Sequence, residues 1–290
     1  MDFEGFCEDE NRTTLSKDYH PIQDGWNSLL DVIGDDPQFL YVWALPLWNY
    51  ALYWSIGSLF VLMDVTGKPA FLRKYKTQPG RNEPLPTKAL SSVVFSVLFN
   101  QFCMGIPAAF IGFRLIDTSS LENIRILPSG FVVLRDLIVC IILIEPVFYY
   151  AHRIVHLGPI YRHIHKRHHE WTAPFALEAL HCTPPEYVLF NVIVPSVGIV
   201  LMKSHVFTAA LWYPVMVMNT LRDHCGYHLP FFFSPEFHDY HHAKFTECYG
   251  IYGIMDWLHA TDRQYRKSKQ HQRHHVLWTT KSARELVPDK

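Results

Sequence analysis

Residues 40–63 run for 24 positions without a formal charge. As an α-helix this stretch is about 36 Å long, more than the ~30 Å hydrocarbon core of a bilayer. Trp43, Trp48, Tyr50 and Trp54 give it the aromatic content of a membrane interface. A soluble all-α protein with very apolar helices is the alternative, but an ordinary core helix is shorter and carries some charge. The stretch therefore predicts a membrane span. Three more apolar regions come after it. Residues 89–113 are interrupted by Asn100-Gln101 and Pro107. Residues 131–150 carry Arg135, Asp136 and Glu145, which must face protein or the interface rather than lipid. Residues 187–221 are long enough for a helical hairpin broken at Lys203-Ser204-His205.

Charge placement orients these regions. Net charge is −1, so no global field points to nucleic acid. Residues 64–88 hold six Lys or Arg and read as cytoplasmic. Residues 1–39 carry ten acidic side chains, and residues 262–290 carry eight Lys or Arg. On this count the acidic end is luminal, a third crossing returns the chain to the cytosol before His152, and the basic tail stays cytosolic. The polar start predicts no cleaved signal peptide, and the final Val-Pro-Asp-Lys is neither a luminal retention signal nor a prenylation box. Six cysteines without C-x-x-C spacing argue against a disulfide framework or a zinc ribbon. The expected division is an acidic segment (1–39), membrane anchor spans (40–130), a catalytic region (131–262) and a basic tail (263–290).

Histidine locates the chemistry. Of 18 histidines, 13 lie between His152 and His242. They form four clusters: His152 with His156; His165 with His168 and His169; His224 with His228; and His238 with His241 and His242. Residues three or four apart share a helix face, so each cluster can aim two or three imidazoles at one point. Neutral imidazole is the commonest side-chain metal ligand. Ten such ligands exceed the four of one tetrahedral zinc and suit two ions with about five each. A single H-x-x-x-H arises by chance on many helices. Two H-x-x-H-H boxes beside two H-x-x-x-H pairs do not, because several buried imidazoles without metal would be left desolvated and unpaired.

Some neighbours read differently. Asp223 and Asp239 are candidate outer partners, accepting the second ring N–H of a ligand; Glu170 and Glu236 read as solvent-facing charge. His163 falls off the ligand face and His181 reads as structural. His20, His205 and His259 are isolated. His271, His274 and His275 sit among the basic residues of a solvated tail, or of a patch for an acidic electron-transfer partner. Trp171, Phe175, Trp212, Tyr213 and Phe231-Phe232-Phe233 could line a lipid cavity or serve packing.

Placed after apolar spans, this pattern resembles the fatty acid hydroxylase/sterol desaturase superfamily of membrane di-iron oxygenases over residues 131–265. The run from His165 through His168-His169-Glu170-Trp171-Thr172-Ala173-Pro174-Phe175 is similar to the C-4 methylsterol oxidase branch, as are Cys225-Gly226-Tyr227-His228 and Phe237-His238-Asp239-Tyr240-His241-His242. Within that branch the sequence resembles the fatty acid hydroxylase domain-containing proteins. Two features depart from typical methylsterol oxidases: Cys248 stands before Tyr249-Gly250 where Asn is expected, and the C-terminus has no dilysine signal. The resemblance implies an all-α integral membrane protein with a cytosolic histidine-rich helical cap in the endoplasmic reticulum membrane. It implies two iron ions on the ten histidines, with zinc a possible substitute given its affinity. It further implies a lipid substrate, most simply the C-4 methyl of a sterol intermediate in sterol biosynthesis. Dioxygen and two external electrons would drive the oxidation. With no dinucleotide fingerprint in the chain, the electrons would come through a donor such as cytochrome b5 and its NADH-dependent reductase. Other expectations keep the site and change the lipid to a sphingolipid, a fatty acyl chain or a sterol side chain, or make the metal structural in a lipid-signalling scaffold.

Overall fold

The computed structural model describes residues 20–115 and 123–289, so half of the acidic segment, residues 1–19, lies outside the described residues. Helices carry the fold. Among the described residues the only ladder pairing is an isolated bridge between Lys76 and Tyr227.

A short helix, α1 (Pro21–Ile33), starts on a proline, whose fixed φ suits a first helical turn. Trp26 anchors it by donating its indole N–H to the Ile124 carbonyl at 2.8 Å. The first expected span forms α2 (Leu45–Thr66), entered through a π-helical turn at Leu40–Ala44 and ended by Gly67 in the left-handed region (φ 64°). The second forms α3 (Thr87–Leu115). Its polar interruption at Asn100-Gln101 opens a second π-helical turn, Asn100–Gly105. The third forms α4 (Gly130–Val155). The fourth is a hairpin, as the break at residues 203–205 predicts, of α5 (Pro184–Leu201) and α6 (Val206–His224). Two shorter helices come next, α7 (Glu236–Lys244) and α8 (Ile254–His259).

Helices α3 and α5 are long and apolar enough to cross a membrane. Helices α2 and α4 turn apolar faces outward: Leu59, Leu62, Phe131, Leu134 and Ile142 are each more than half exposed. Such surface is unusual on a water-facing monomer. The charges inside the third apolar run face protein, as required. Asp136 is buried and accepts from Ser204 Oγ at 2.9 Å, with Arg135 reaching back to it. Glu145 accepts the backbone N–H groups of Ile251, Tyr252 and Met255. Gly198 sets the approach of α5 to α4, because a Cβ there would lie 2.8 Å from the Cα of Cys140.

Two basic regions pack against the rest of the fold, the second of them against the expectation of a solvated tail. In the basic segment 64–88, Lys76 is buried and pairs with buried Asp64 at 2.6 Å, and Arg73 pairs with Glu83. This segment folds onto the histidine-bearing part of the chain: His228 N–H donates to Tyr75 O, and Thr77 Oγ1 donates to Asp239. The basic tail is also packed rather than free. Tyr265, Arg273 and Leu277 are buried, and Arg273 donates twice to the Val287 carbonyl.

Candidate metal centre

Nine of the ten expected histidines converge, in two groups. His152, His156, His165, His169 and His241 form the first group; His168, His224, His238 and His242 form the second. Within each, the candidate ligand atoms lie within 4.8 Å of one another. Helix ends supply them. His152 lies in the last turn of α4 and His156 caps it; His224 ends α6. The short α7 carries His238, His241 and His242, all buried. The first H-x-x-H-H box lies on a π-helical turn, Tyr161–His165, followed by a 3-10 turn, His168–Glu170. Each box sends its outer pair, four residues apart, to one group and its middle histidine to the other. The two groups are thereby interlocked.

The ring hydrogen bonds settle which nitrogen is free. His152 Nδ1 lies 2.7 Å from Tyr249 O, His224 Nδ1 2.8 Å from Thr220 O, His241 Nδ1 2.8 Å from Glu247 O and His242 Nδ1 3.1 Å from Trp171 O. A backbone carbonyl only accepts, so each Nδ1 carries the proton and each neutral ring leaves a lone pair on Nε2. Those Nε2 atoms meet. His224 Nε2 stands 3.1 Å from His238 Nε2 and 3.2 Å from His242 Nε2. In the first group His165 Nε2 stands 3.1 Å from His152 Nε2 and 3.0 Å from His169 Nε2, and His241 Nε2 stands 3.1 Å from His169 Nε2. Opposed lone pairs repel unless a cation lies between them. Donors about 2.1 Å from one ion and at right angles to each other are about 3.0 Å apart. The buried Nε2 of His156 has no hydrogen-bond partner, as a metal ligand would not. Burial, followed by mutual repulsion among the rings, holds His165, His168, His169, His238, His241 and His242 well below the usual histidine pKa, in the neutral ligand form. The residues present fit two metal ions.

His228 is the expected ligand that joins neither group. It is buried, with Nε2 donating to His275 O at 3.0 Å and Nδ1 3.6 Å from Glu236. The cause is local. Helix α6 stops at His224, and Gly226 takes a positive φ of 72°, so the four-residue spacing from His224 to His228 no longer traces a helix.

The outer partners also differ from expectation. Asp239 is buried but bonds Thr77 and Gln78; burial pushes its carboxyl up to about 7. Asp223 is held by Arg222. Neither bonds a ligand histidine. Glu186 does, at 2.6 Å from His165 Nδ1. Its position at the head of an apolar run was the available signal, since a carboxylate there needs a reason. Glu178 is fully buried, with one oxygen 3.7 Å from His168 Nδ1. Glu145 and Asp256 act at one remove: together they bond the backbone N–H groups of 249–252 and 255, fixing the carbonyl of Tyr249 that holds His152. Glu170 bonds His181 at 3.3 Å, away from both groups, and His163 is exposed. His205 caps α6 and His259 bonds Tyr150.

A cavity of about 1040 Å³ reaches both groups, touching His152 and His165 of the first and His168, His224 and His238 of the second. Its walls come from α2 to α6 and are mostly apolar, including Leu45, Ile144, Phe148, Val194 and Met216. Of the aromatics expected to line a lipid cavity only Tyr213 does; Trp171, Phe175 and Trp212 pack elsewhere, and Phe231, Phe232 and Phe233 are exposed.

Comparison with known proteins agrees with this geometry. Residues 137–261, which hold all nine converging histidines, match the fatty acid hydroxylase family. Fatty acid hydroxylase domain-containing protein 2 of Homo sapiens is 38% identical over 237 residues, covering 82% of this chain and 71% of that protein. Methylsterol monooxygenase 2-1 of Arabidopsis thaliana is 30% identical over 272 residues, 86% of this chain and 97% of that protein. Very-long-chain aldehyde decarbonylase GL1-8 of Oryza sativa subsp. indica is 32% identical over 237 residues, 74% of this chain and 87% of that protein. No solved structure matches. Family members are lipid-modifying oxidoreductases in a membrane context. By its histidine pattern and by these likenesses, the chain belongs to the fatty acid hydroxylase/sterol desaturase superfamily.

Proposed function

We propose that this chain is a multi-pass membrane monooxygenase whose two histidine groups each hold an iron ion, and that it oxidises the C-4 methyl of a sterol intermediate with dioxygen. The carrying observation is that two sets of converging imidazole nitrogens open onto one apolar cavity. Iron, when bound, would supply dioxygen activation and attack on an unactivated C–H bond. The chain's own part is to hold the ions through His152, His156, His165, His169 and His241 on one side and His168, His224, His238 and His242 on the other. It also orients those rings through their Nδ1 partners and keeps water away with a largely apolar wall. Methylsterol monooxygenase 2-1, matched over 97% of its length, supports the sterol.

In this reading α2 to α6 cross the endoplasmic reticulum membrane and the histidine groups face the cytosol. The basic segment 64–88 supports that side, because it packs onto the histidine-bearing region. Electrons would arrive from a cytochrome b5-type donor with its NADH-dependent reductase. A second reading keeps the oxygenase and changes the substrate to a sphingolipid, a fatty acyl chain or a sterol side chain, favoured by the apolar lining and by the relative named for a fatty acid hydroxylase domain.

The test is a lipid profile of cells lacking the protein, rescued by wild type or His241→Ala. Accumulated 4-methyl sterols that only wild type clears would support the sterol. Rescue by His241→Ala would sink the oxygenase. Altered sphingolipids or hydroxy acids with unchanged sterols would select the second reading.

A further inference from the structure

One edge of the cavity beside the second histidine group is polar, and the metal does not account for it. Asn219, Thr220, Asp223 and His224 all line the cavity from α6. Asn219 and Asp223 are four apart on that helix and share a face. Arg222 lies between them and fixes both. Its Nη1 donates to Asn219 Oδ1 at 2.9 Å, and its Nε and Nη2 both donate to Asp223 Oδ1, at 2.9 and 2.6 Å. A guanidinium only donates, so it must face the oxygen of the Asn219 amide. Two atoms are then left over. The Asn219 Nδ2 donor and the Asp223 Oδ2 acceptor have no protein partner among the described residues, and neither is among the sealed polar atoms.

We infer that Asn219 and Asp223 form a recognition site for a hydroxyl group on the lipid substrate, placed a few bonds from the carbon that is oxidised. A hydroxyl donates to Asp223 Oδ2 and accepts from Asn219 Nδ2, satisfying both. A ketone or an ether only accepts and would leave the Asp223 oxygen unpaired. A lipid carboxylate would face Asp223 with like charge, while the arginine that could neutralise it is already engaged by Asp223 and Asn219. The helix sets the proximity to the reacting carbon: Asp223 adjoins His224, and Asn219 precedes it by five residues, about 7.5 Å along the axis. The site would thus favour a neutral lipid alcohol over a free fatty acid.

This inference rests on the oxygenase reading, and its test separates the two. The metal-loaded full chain in phosphatidylcholine nanodiscs is titrated with a 4-methyl sterol 3-alcohol, its 3-ketone and its 3-O-methyl ether, and binding is read directly. Wild type should bind the alcohol about tenfold tighter than the ether. Asn219→Leu removes the donor that alcohol, ketone and ether all accept from, so it should weaken all three alike and leave the alcohol-over-ether ratio near its wild-type value. Asn219→Asp keeps a partner for Arg222 and removes the same donor, so it should weaken the ketone and the ether at least as much as the alcohol, and it stands in if the leucine variant does not fold. Asp223→Asn should reverse the alcohol-over-ketone preference, since two donors then face the ligand. Equal wild-type affinity for alcohol and ether, undiminished alcohol affinity in Asn219→Leu, or an Asp223→Asn protein that keeps the wild-type alcohol-over-ether ratio would overturn the inference. Product analysis runs separately. Alcohol-selective binding without oxidation removes the oxygenase and leaves the hydroxyl site. Equal oxidation of the ether removes the hydroxyl site and leaves the oxygenase.

Discussion

The first histidine group begins at the C-terminal end of α4 and the second at the C-terminal end of α6, and the course of the backbone beyond each helix sets them apart. After His152 the backbone stays helical to His156, so both rings enter the first group. After His224 the chain turns at Gly226, and His228 is carried away to the carbonyl of His275. From the same spacing the two regions draw five donors and four. A sequence spacing specifies a metal ligand only as long as the secondary structure beneath it persists.

The comparison can be broken at several points, taken from the largest effect downward. His241→Ala and His168→Ala each remove the one ligand that a box lends to the opposite group. Each variant should lose more than about a hundredfold in turnover, because each empties one position and loosens the box that spans both. Metal content by mass spectrometry and turnover with a lipid substrate are the measurements; two fully active variants would mean that the groups are independent. Glu186→Gln weakens the only carboxyl hydrogen-bonded to a ligand ring among the described residues. A loss of about 10- to 100-fold in metal affinity is expected, confined to the first group. Graded chelation should release metal in two steps, the four-donor group emptying first, as judged by the metal remaining in His156→Ala and in wild type. The smallest effect is assigned to His228→Ala. Metal stoichiometry should be kept and turnover should fall less than about tenfold, with a stability cost of about 1–3 kcal/mol from the lost buried hydrogen bond. Loss of one equivalent of metal from this variant would restore His228 as a ligand and make the groups equal.

Much of the site is legible in the residues alone. The nine converging histidines come from the four clusters, and the hairpin break falls at Lys203-Ser204-His205 as the polar residues require. Asp136 and Glu145, embedded in an apolar run, face protein because lipid would not solvate them. Pairing across the chain is not legible in this way. Nothing in the box at His165 says that its middle histidine belongs with His224, because that depends on how α4, α6 and α7 are docked. Outer partners escape for the same reason. Asp223 and Asp239 are neighbours of ligands in sequence, but on a helix adjacent residues point apart. Glu186, 21 residues from His165, is the one that reaches it. Cys248, where Asn was expected, has a φ of 65°, a conformation Asn tolerates better than most residues.

The π-helical turns carry a consequence for how such a chain could diversify. Four occur among the described residues, at Leu40–Ala44, Asn100–Gly105, Tyr161–His165 and Leu189–Ile193, and every one contributes side chains to the cavity wall. A π-turn is an α-helix with one residue too many. Deleting that residue from the turn in α3 or α5 would rotate everything beyond it by about 100° and present a different face to the bound lipid. The helix ends that carry the histidines would stay in place. The turns in α3 and α5 are therefore points where a single insertion or deletion could redraw substrate shape without disturbing the chemistry.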